Sequence, residues 1–416
     1  MSNEPYDTAT HAELGLMQGF PPPTDRQVNR LNGLWVPPFN RWSYQNMRRL
    51  LPSALIAPAD KPVHLARRID AEFNQISVTR EDGSQADFET YLRQTFTDCF
   101  LVVRSGNVVC ERYLNGMNAD QPHQMMSCTK SFVGLFALMA VEEGLISEDT
   151  RVGDLVGEID NNGAFADATF GQVLNMTNSM AFNEDYDDPA ADIHQYARIC
   201  GLGAGSAETV LEDSIYDYLP TLGLEPGQPH GSVFHYQTPK TDMANWVTNR
   251  LTGRSLLENM HDLLWSRLGT DGEAYMLLDP CGTPVAGGGL NATPNDLARF
   301  AAMILNGGSF NGQQILAKSI IDKIAAGGST EAFLNGPDAA GVLMDGHWSY
   351  RAKWWVRGTP GRQAIMAIGV NGQWIYIDRD RDVAIIKQSS QPVAVSTYFD
   401  DYTLNGFDAV IDHLTG

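Results

Sequence analysis

The segment that decides the fold spans residues 125–143 and reads MMSCTKSFVGLFALMAVEE. Its second half is apolar on almost every side and Gly144 follows it, so the segment predicts a helix buried in the middle of the protein. Ser127 and Lys130 stand three residues apart at its start, a spacing that shares one helix face. We therefore expect the Lys130 amine to reach the Ser127 hydroxyl beside the positive end of the helix dipole.

The S-x-x-K spacing of Ser127 and Lys130 predicts a nucleophile and its base. A lysine among apolar neighbours loses hydration, which lowers its pKa and lets the neutral amine take a proton from serine. The same motif arises by chance about once in a chain of this length. In that alternative Ser127 only caps the helix and Lys130 extends its amine to solvent. The motif alone leaves both interpretations open.

Two later segments supply groups that a serine–lysine pair needs. Residues 234–242 read FHYQTPKTD, and Tyr236 is the candidate for passing a proton to the leaving group, its phenolate favoured by a charged Lys130. Residues 367–373 read AIGVNGQ, where glycines in a strand allow a substrate to approach the backbone. The backbone N–H groups of Ser127 and Val370 are the candidate oxyanion donors.

Strand patterns at both ends of the chain enclose a helical middle. Residues 99–116 predict a hairpin around Ser105-Gly106-Asn107, and strand patterns return after residue 345. The expected fold class is α/β, an antiparallel sheet flanked by helices from both chain ends with an inserted helical lobe. The predicted parts are a wrapping arm (1–60), a sheet lobe (61–125 plus 285–416) and a helical lobe (126–284).

The order of these motifs resembles that of the serine β-lactamase and penicillin-binding protein superfamily, in its class C-like branch of esterases and amide hydrolases. MMSCTKSFVG is similar to the nucleophile motif of that superfamily, and FHYQT to its Y-x-N element. VLNMTNSMAF (173–182) and GGGLNATPNDLARFAAMILNGG (287–308) resemble further landmarks. The resemblance covers residue 60 to the C-terminus and implies a β-lactamase-like fold and an acyl-enzyme mechanism that requires no cofactor.

Two departures from the superfamily pattern bear on the substrate. Thr238 ends the Y-x-N element in place of asparagine, and residues 367–369 read AIG where β-lactamases have K-T-G. The cation that normally holds a β-lactam or D-alanine carboxylate is therefore missing. The chain looks more like amidases of linear 6-aminohexanoate oligomers and related carboxylesterases, so we expect a serine hydrolase of small amides or esters.

Similarity to those amidases directs attention to residues 182–189, FNEDYDDP, as a substrate-facing loop. Tyr186 is the candidate for holding the scissile amide N–H, although an acidic surface loop with a packed tyrosine is an equally open interpretation. In the first case the loop aspartates attract a protonated substrate amine; they are Asp185, Asp187 and Asp188. Asn371 and Trp374, beside the proposed oxyanion strand, are further candidate substrate contacts.

Composition limits the partners. Twenty-nine Lys and Arg stand against 50 Asp and Glu, a formal net charge of −21, which disfavours nucleic acid and anionic membranes. No apolar run is long enough to span a bilayer, and the N-terminus lacks a secretory signal, so the expected location is the cytoplasm. The five cysteines predict reduced thiols, with a Cys99–Cys110 pair left open.

The histidines show no ligand spacing, so no metal is expected. A small molecule is the expected partner, and an oligomer stays open because no motif predicts one. Two alternatives to an amidase remain: a carboxylesterase or acyltransferase of the same fold, or a catalytically silent, penicillin-binding-like binding protein.

Overall fold

The structure is a computed structural model that describes residues 6–203 and 214–416. Residues 1–5 of the predicted arm and residues 204–213 of the predicted helical lobe lie outside the described residues. The strands are β1 (Ser53–Ile56), β2 (Ala66–Arg67), β3 (Ser77–Thr79), β4 (Gln85–Asp87), β5 (Thr97–Arg104), β6 (Asn107–Tyr113), β7 (His123–Gln124), β8 (Ala274–Leu277), β9 (Leu290–Ala292), β10 (Ser309–Phe310), β11 (Gln313–Gln314), β12 (Trp348–Arg351), β13 (Trp354–Thr359), β14 (Arg362–Gly369), β15 (Gln373–Asp378) and β16 (Val383–Ser389).

The α-helices of the described residues are α1 (Asn40–Ser43), α2 (Phe88–Gln94), α3 (Cys128–Glu142), α4 (Phe170–Leu174), α5 (Asp192–Ile199), α6 (Ile215–Tyr218), α7 (Pro239–Thr252), α8 (Leu256–Glu258), α9 (Ser266–Leu268), α10 (Pro294–Leu305), α11 (Lys318–Ala325), α12 (Thr330–Leu334) and α13 (Thr397–Thr415). A π-helix over Asn259–Trp265 joins α8 to α9. Short 3-10 helices cover Thr24–Arg26, Met47–Arg49, Ala71–Gln75, Val152–Asp154, Leu219–Thr221 and Gly341–Met344.

The central sheet joins strands from both ends of the chain. Its order is β12-β13-β14-β15-β16-β5-β6-β2, and β16 pairs antiparallel with β5. Only β2 runs parallel to its neighbour, β6. The β5–β6 hairpin turns at Ser105 and Gly106, which both have positive φ, as a tight hairpin turn requires. The predicted α/β class with an antiparallel sheet from both chain ends is confirmed.

A second, smaller sheet has the order β1-β8-β9-β7. Strand β1 comes from the predicted arm, and β8 from the predicted helical lobe, where the sequence had indicated no strand. These strands have only two to four residues, so too few side chains alternate for a pattern to be seen. The division into an arm, a sheet lobe and a helical lobe stays a prediction.

Helix α3 is buried between the central sheet and α7. Its 15 residues match the predicted buried helix, and Phe132 packs 4.5 Å from Phe300 of α10, measured between ring centroids. On the opposite face of the sheet, α13 packs Phe407 against Trp374 and Tyr376. Within the described part of the chain, no helix combines the length and the apolar character needed to cross a membrane.

The five cysteines, all among the described residues, are free thiols. Cys99 and Cys110 do not face each other, because Cys99 pairs with Tyr113 and Cys110 with Val102 in the β5–β6 ladder. The two side chains belong to the hydrophobic clusters on opposite faces of the sheet. The Cys99–Cys110 pair that the sequence left open is therefore not formed.

Candidate active site

Ser127 stands at a sharp turn of the backbone immediately before α3. The preceding residue, Met126, has a φ of 46°, in the left-handed region that non-glycine residues rarely adopt. Ser127 occupies the N-cap position, yet its side chain makes no capping hydrogen bond and is almost fully buried. The hydroxyl is therefore not used as a helix cap and is available to other groups.

Lys130 lies directly against that hydroxyl. Its Nζ is 2.6 Å from Ser127 Oγ and donates a second hydrogen bond, also of 2.6 Å, to the carbonyl oxygen of Gly287. The side chain is buried, and burial lowers the pKa of Lys130 to about 8, against an upward pull from the carboxylates of Glu184 and Asp242. Lys130 is thus not a surface lysine, and a neutral amine is accessible near neutral pH.

Tyr236 lies beside both Lys130 and Ser127. The Lys130 Nζ is 5.0 Å from the centre of the Tyr236 ring, which stacks on Trp355 at 5.5 Å. Burial and the charge of Glu184 raise the pKa of Tyr236 well above its usual value, although contact with the Ser127 hydroxyl lowers it. The expectation that Lys130 favours a phenolate is wrong: the environment of Tyr236 favours the phenol, which can donate a proton.

Strand β14 reaches the start of α3 because residue 369 is glycine. A Cβ at Gly369 would lie 2.6 Å from the carbonyl oxygen of Met125 and 3.0 Å from the backbone nitrogen of Ser127. The first contact is closer than real Cβ atoms come to another atom, and the second is tighter than most Cβ contacts, so a larger residue would push the two backbones apart. The glycine thus allows two stretches of backbone to meet. Gly369 also lines the cavity in front of Ser127, so the approach of a substrate to this backbone stays a prediction. Val370 follows and lines the space in front of Ser127.

Glu184 is a site residue that the sequence analysis missed. Its carboxylate accepts hydrogen bonds from the backbone N–H of Thr238 at 2.5 Å, from the Thr238 hydroxyl at 2.6 Å and from the Tyr186 hydroxyl at 3.2 Å. Burial raises the pKa of Glu184, while the charge of Lys130 lowers it. This carboxylate joins the loop that carries Tyr186 to the segment that carries Tyr236.

Two cavities meet at Ser127. The larger has a volume of about 190 Å³ and the smaller about 40 Å³, and Ser127, Tyr186 and Val370 line both. The larger cavity has mainly apolar walls, which include Trp355, Ile368, Trp374, Val342, Leu343 and Leu404. A linear molecule whose reactive bond lies at Ser127 therefore has room on both sides of that bond.

Of the remaining predicted site residues, two line the larger cavity and one does not. Tyr186 and Trp374 line the larger cavity, but Asn371 lines neither cavity. Its amide is engaged by the protein: Oδ1 accepts from the Tyr44 hydroxyl, and Nδ2 donates to the carbonyl oxygens of Gln391 and Val393. The proposed contact between Asn371 and substrate does not fit this arrangement.

The aspartates of the 182–189 loop also do not line either cavity. Asp185 and Asp187 are exposed and Asp188 is half-buried, and none of the three lines either cavity. Besides Glu184, three carboxylates that were not singled out in the sequence line the larger cavity: Asp338, Asp400 and Asp401. Asp400 lies in the first turn of α13 and Asp401 follows it, more than 200 residues from the loop, so no local pattern indicates their position.

One group of potential metal ligands occurs among the described residues. Asp70, Glu72 and His413 place one ligand atom each within 4.8 Å of the others, but the three residues line neither cavity at Ser127. His413 already shares a hydrogen bond of 2.9 Å with Asp70.

Comparison with known proteins identifies the family to which this chain belongs. The sequence profile of the β-lactamase family matches residues 87–405. The chain belongs to the β-lactamase family. Within it, the chain is 32% identical over 361 residues to the 6-aminohexanoate-dimer hydrolase of Paenarthrobacter ureafaciens, an alignment that covers 85% of this chain and 86% of that protein. The chain is accordingly a hydrolase of the β-lactamase family.

Solved structures of other proteins share the fold. A Bacillus anthracis protein whose name assigns it as a 6-aminohexanoate-dimer hydrolase superposes with a TM-score of 0.83 at 29% identity, over 94% of this chain and 98% of that one. EstCE1, a hydrolase with promiscuous acyltransferase activity, superposes with a TM-score of 0.56 at 16% identity, over 78% of this chain and 98% of its own. The second similarity shows the fold alone.

The structure explains one departure of this chain from the β-lactamase family pattern. Thr238, in place of the asparagine of Y-x-N, gives both its backbone N–H and its hydroxyl to Glu184. Among the described residues that line the two cavities, none is a lysine or arginine. A substrate carboxylate therefore finds no cationic side chain in these walls.

Proposed function

We propose that this member of the β-lactamase family cleaves small amides or esters through an acyl-enzyme on Ser127. The observation that carries the proposal is the Lys130 Nζ, 2.6 Å from Ser127 Oγ with a pKa of about 8, at the point where the two cavities meet. When the pKa of a base is near the working pH, a useful fraction of the base is neutral, and the neutral form still binds a proton strongly enough to take it from serine. Ser127 is the nucleophile and Lys130 its base.

In the acylation step, Ser127 Oγ forms a bond to the substrate carbonyl carbon while its proton passes to Lys130 Nζ. Negative charge develops on the carbonyl oxygen, and the backbone N–H groups of Ser127 and Val370 are the proposed donors that stabilise it. The bond to the leaving nitrogen or oxygen then breaks. The Tyr236 phenol gives that atom a proton and regains one from Lys130, so the amine or alcohol departs neutral.

Deacylation repeats these steps with water. A water molecule attacks the acyl carbonyl, its proton passes to the Lys130–Tyr236 pair, and the bond to Ser127 Oγ breaks as Ser127 regains a proton. The raised pKa of Tyr236 supports its role, because a phenol that stays protonated is able to donate in one step and be restored in the next.

The walls of the larger cavity support a linear substrate with an apolar chain and a cationic end. The chain packs on the apolar side chains, and Asp338, Asp400 and Asp401 supply negative charge. Burial raises the pKa of Asp338 and of Asp400 to about 7, and a bound ammonium group favours their charged forms. The relatives named 6-aminohexanoate-dimer hydrolases support a linear amide of this type.

Tyr186 supports amide cleavage over ester cleavage. Tyr186 lines the cavity beside Ser127 and its hydroxyl donates to Glu184, so its oxygen is able to accept a hydrogen bond from an amide N–H. An ester has no such hydrogen. Amines also leave less readily than alcohols, so a group that holds the amide nitrogen favours the harder reaction.

The test compares the wild type with Ser127→Ala on the linear 6-aminohexanoate dimer and on p-nitrophenyl butyrate. The matched control is Ser131→Ala, one turn further along α3, where the buried hydroxyl donates to the carbonyl oxygen of Lys353. We expect Ser127→Ala to lose both activities and the control to keep them. Mass spectrometry of the wild type, quenched during ester turnover, is expected to show an acyl group on Ser127.

Three results separate the alternatives. If the wild type cleaves the ester and not the dimer, the chain is an esterase. If added alcohol diverts the acyl group into a new ester, it is an acyltransferase. Hydrolysis that survives in Ser127→Ala, or a wild type that neither turns over nor becomes acylated, contradicts the proposed mechanism and favours the binding protein.

A further inference from the structure

The smaller cavity at Ser127 is completed by the N-terminal arm. Trp35 belongs to this cavity wall together with Tyr196, Leu202 and Val285, which come from the middle of the chain. The indole is 5.6 Å from the ring of Tyr186 between centroids, with the planes inclined at 38°. A residue far from the nucleophile in sequence thus forms part of the space in which one side of a substrate must fit.

Two contacts hold the Trp35 side chain in place. Its Nε1 donates a hydrogen bond of 2.8 Å to the carbonyl oxygen of Leu202. Trp35 also packs against a hydrophobic cluster that includes Leu34 and Met126, the residue directly before the nucleophile. An indole fixed by both a hydrogen bond and packing presents a rigid apolar wall to the cavity.

We propose that Trp35 is a specificity-determining residue, whose indole limits the size of the group that lies on one side of the scissile bond. The proposal rests on the proposed acyl transfer at Ser127. The small volume of the cavity, about 40 Å³, supports it, because only a few atoms fit before they meet the indole. The opposite cavity, at about 190 Å³, takes the longer part of the substrate.

The attachment of the arm does not depend on Trp35. Trp42 lies in a separate cluster with Leu16 and Val28. Arg41 donates to the carbonyl oxygen of Phe96 at 3.2 Å and forms a buried ion pair of 3.1 Å with Asp98. A smaller residue at position 35 is therefore expected to open the cavity while the rest of the arm stays anchored.

The experiment measures kcat/KM for Trp35→Ala and Trp35→Phe on two ester series. The first series has p-nitrophenol as the leaving group and acyl chains from acetyl to hexanoyl. The second keeps a butyryl group and varies the alcohol from methanol to hexanol. A pocket discriminates by about tenfold or more per added methylene, so Trp35→Ala is expected to raise the ratio of longest to shortest substrate at least about tenfold in one series.

Trp35→Phe keeps an aromatic wall and loses the hydrogen bond to Leu202, so its ratios are expected to stay near those of the wild type. The control Trp42→Phe changes the packing of the arm outside the cavity, and its ratios are expected to be unchanged. A shift confined to the acyl series assigns the small cavity to the acyl group, and one confined to the alcohol series assigns it to the leaving group.

Unchanged ratios in both series for a folded Trp35→Ala overturn the role of Trp35 and leave the reaction at Ser127 intact. The same holds if Trp42→Phe shifts the ratios as much as Trp35→Ala does, because the arm then acts only through its general packing. A wild type that hydrolyses none of these esters and does not cleave the linear dimer instead contradicts the proposed function itself.

Discussion

The hydroxyl of Tyr44 donates a hydrogen bond of 2.8 Å to Oδ1 of Asn371 and so ties the N-terminal arm to the turn that follows β14. Both side chains are buried, and Asn371 has a φ of 58°. A non-glycine residue persists in this left-handed conformation when its surroundings hold it. Because Val370 directly precedes Asn371, the arm helps to fix the backbone of the proposed oxyanion donor.

Tyr44→Phe is expected to lower both stability and kcat. The change removes the bond to Asn371 and costs about 1 kcal/mol of unfolding free energy. It also loosens Val370, so kcat is expected to fall while KM changes little. The matched control is Tyr91→Phe, which removes a buried hydroxyl bonded to the carbonyl oxygen of Thr403 on the other side of the sheet. A similar loss of kcat in the control would show that the effect is only one of stability.

The rate of hydrolysis is expected to rise with pH and to level off above about 8. Acylation needs neutral Lys130, whose pKa is about 8, so about one tenth of the enzyme is active at pH 7. The measurement is kcat/KM for p-nitrophenyl butyrate between pH 6 and pH 10. Lys387→Met removes another buried lysine, with a pKa lowered to about 7, and is expected to leave the profile in place. A flat wild-type profile contradicts the role of Lys130.

Glu184→Gln is expected to shift the rise in the rate of hydrolysis to lower pH. The negative charge of Glu184 raises the pKa of Lys130, so its removal makes the ammonium form less favourable. The control Asp185→Asn removes a neighbouring carboxylate that points to solvent and is expected to leave the midpoint unchanged. A midpoint that stays fixed, or moves upwards, in Glu184→Gln would mean that this carboxylate does not act on the lysine.

Gly369→Ala is expected to reduce kcat by about a hundredfold. The added Cβ forces β14 away from the backbone of Ser127, and displacement of catalytic groups by about 1 Å has costs of this size. Gly157→Ala is the control, because a Cβ there meets no atom within 4 Å. We expect the control to keep wild-type kinetics and melting temperature. Full activity in a folded Gly369→Ala would show that the close approach of β14 is not needed.

Recognition of a cationic end is expected to depend on Asp400. Acetylation of the free amine of the 6-aminohexanoate dimer removes its charge and should raise KM about tenfold in the wild type. A tenfold change corresponds to the free energy of about one hydrogen bond to a charged group. In Asp400→Asn the two substrates are expected to have similar KM values. Asp185→Asn, outside the cavity, is expected to behave as the wild type does. Equal KM values for both substrates in the wild type would contradict a cationic subsite.

The sequence by itself determined the local features of this protein. The spacing of Ser127 and Lys130 brings their side chains together because three residues make almost one helical turn. The apolar character of residues 132–141 buries α3. Strands of seven or eight residues, such as β5 and β14, are long enough for an alternating or continuous apolar pattern to be recognised in the sequence.

Only the tertiary structure decided which distant groups surround that pair. Glu184 meets Thr238, Gly287 meets Lys130, and Asp400 and Trp35 enter the cavity walls from opposite ends of the chain. No periodicity encodes such contacts, since they follow from the packing of helices and loops on the sheet. The predicted contact between Asn371 and substrate failed for the same reason. The position of Asn371 beside β14 is local, but the direction of its side chain is set by Tyr44, 327 residues earlier.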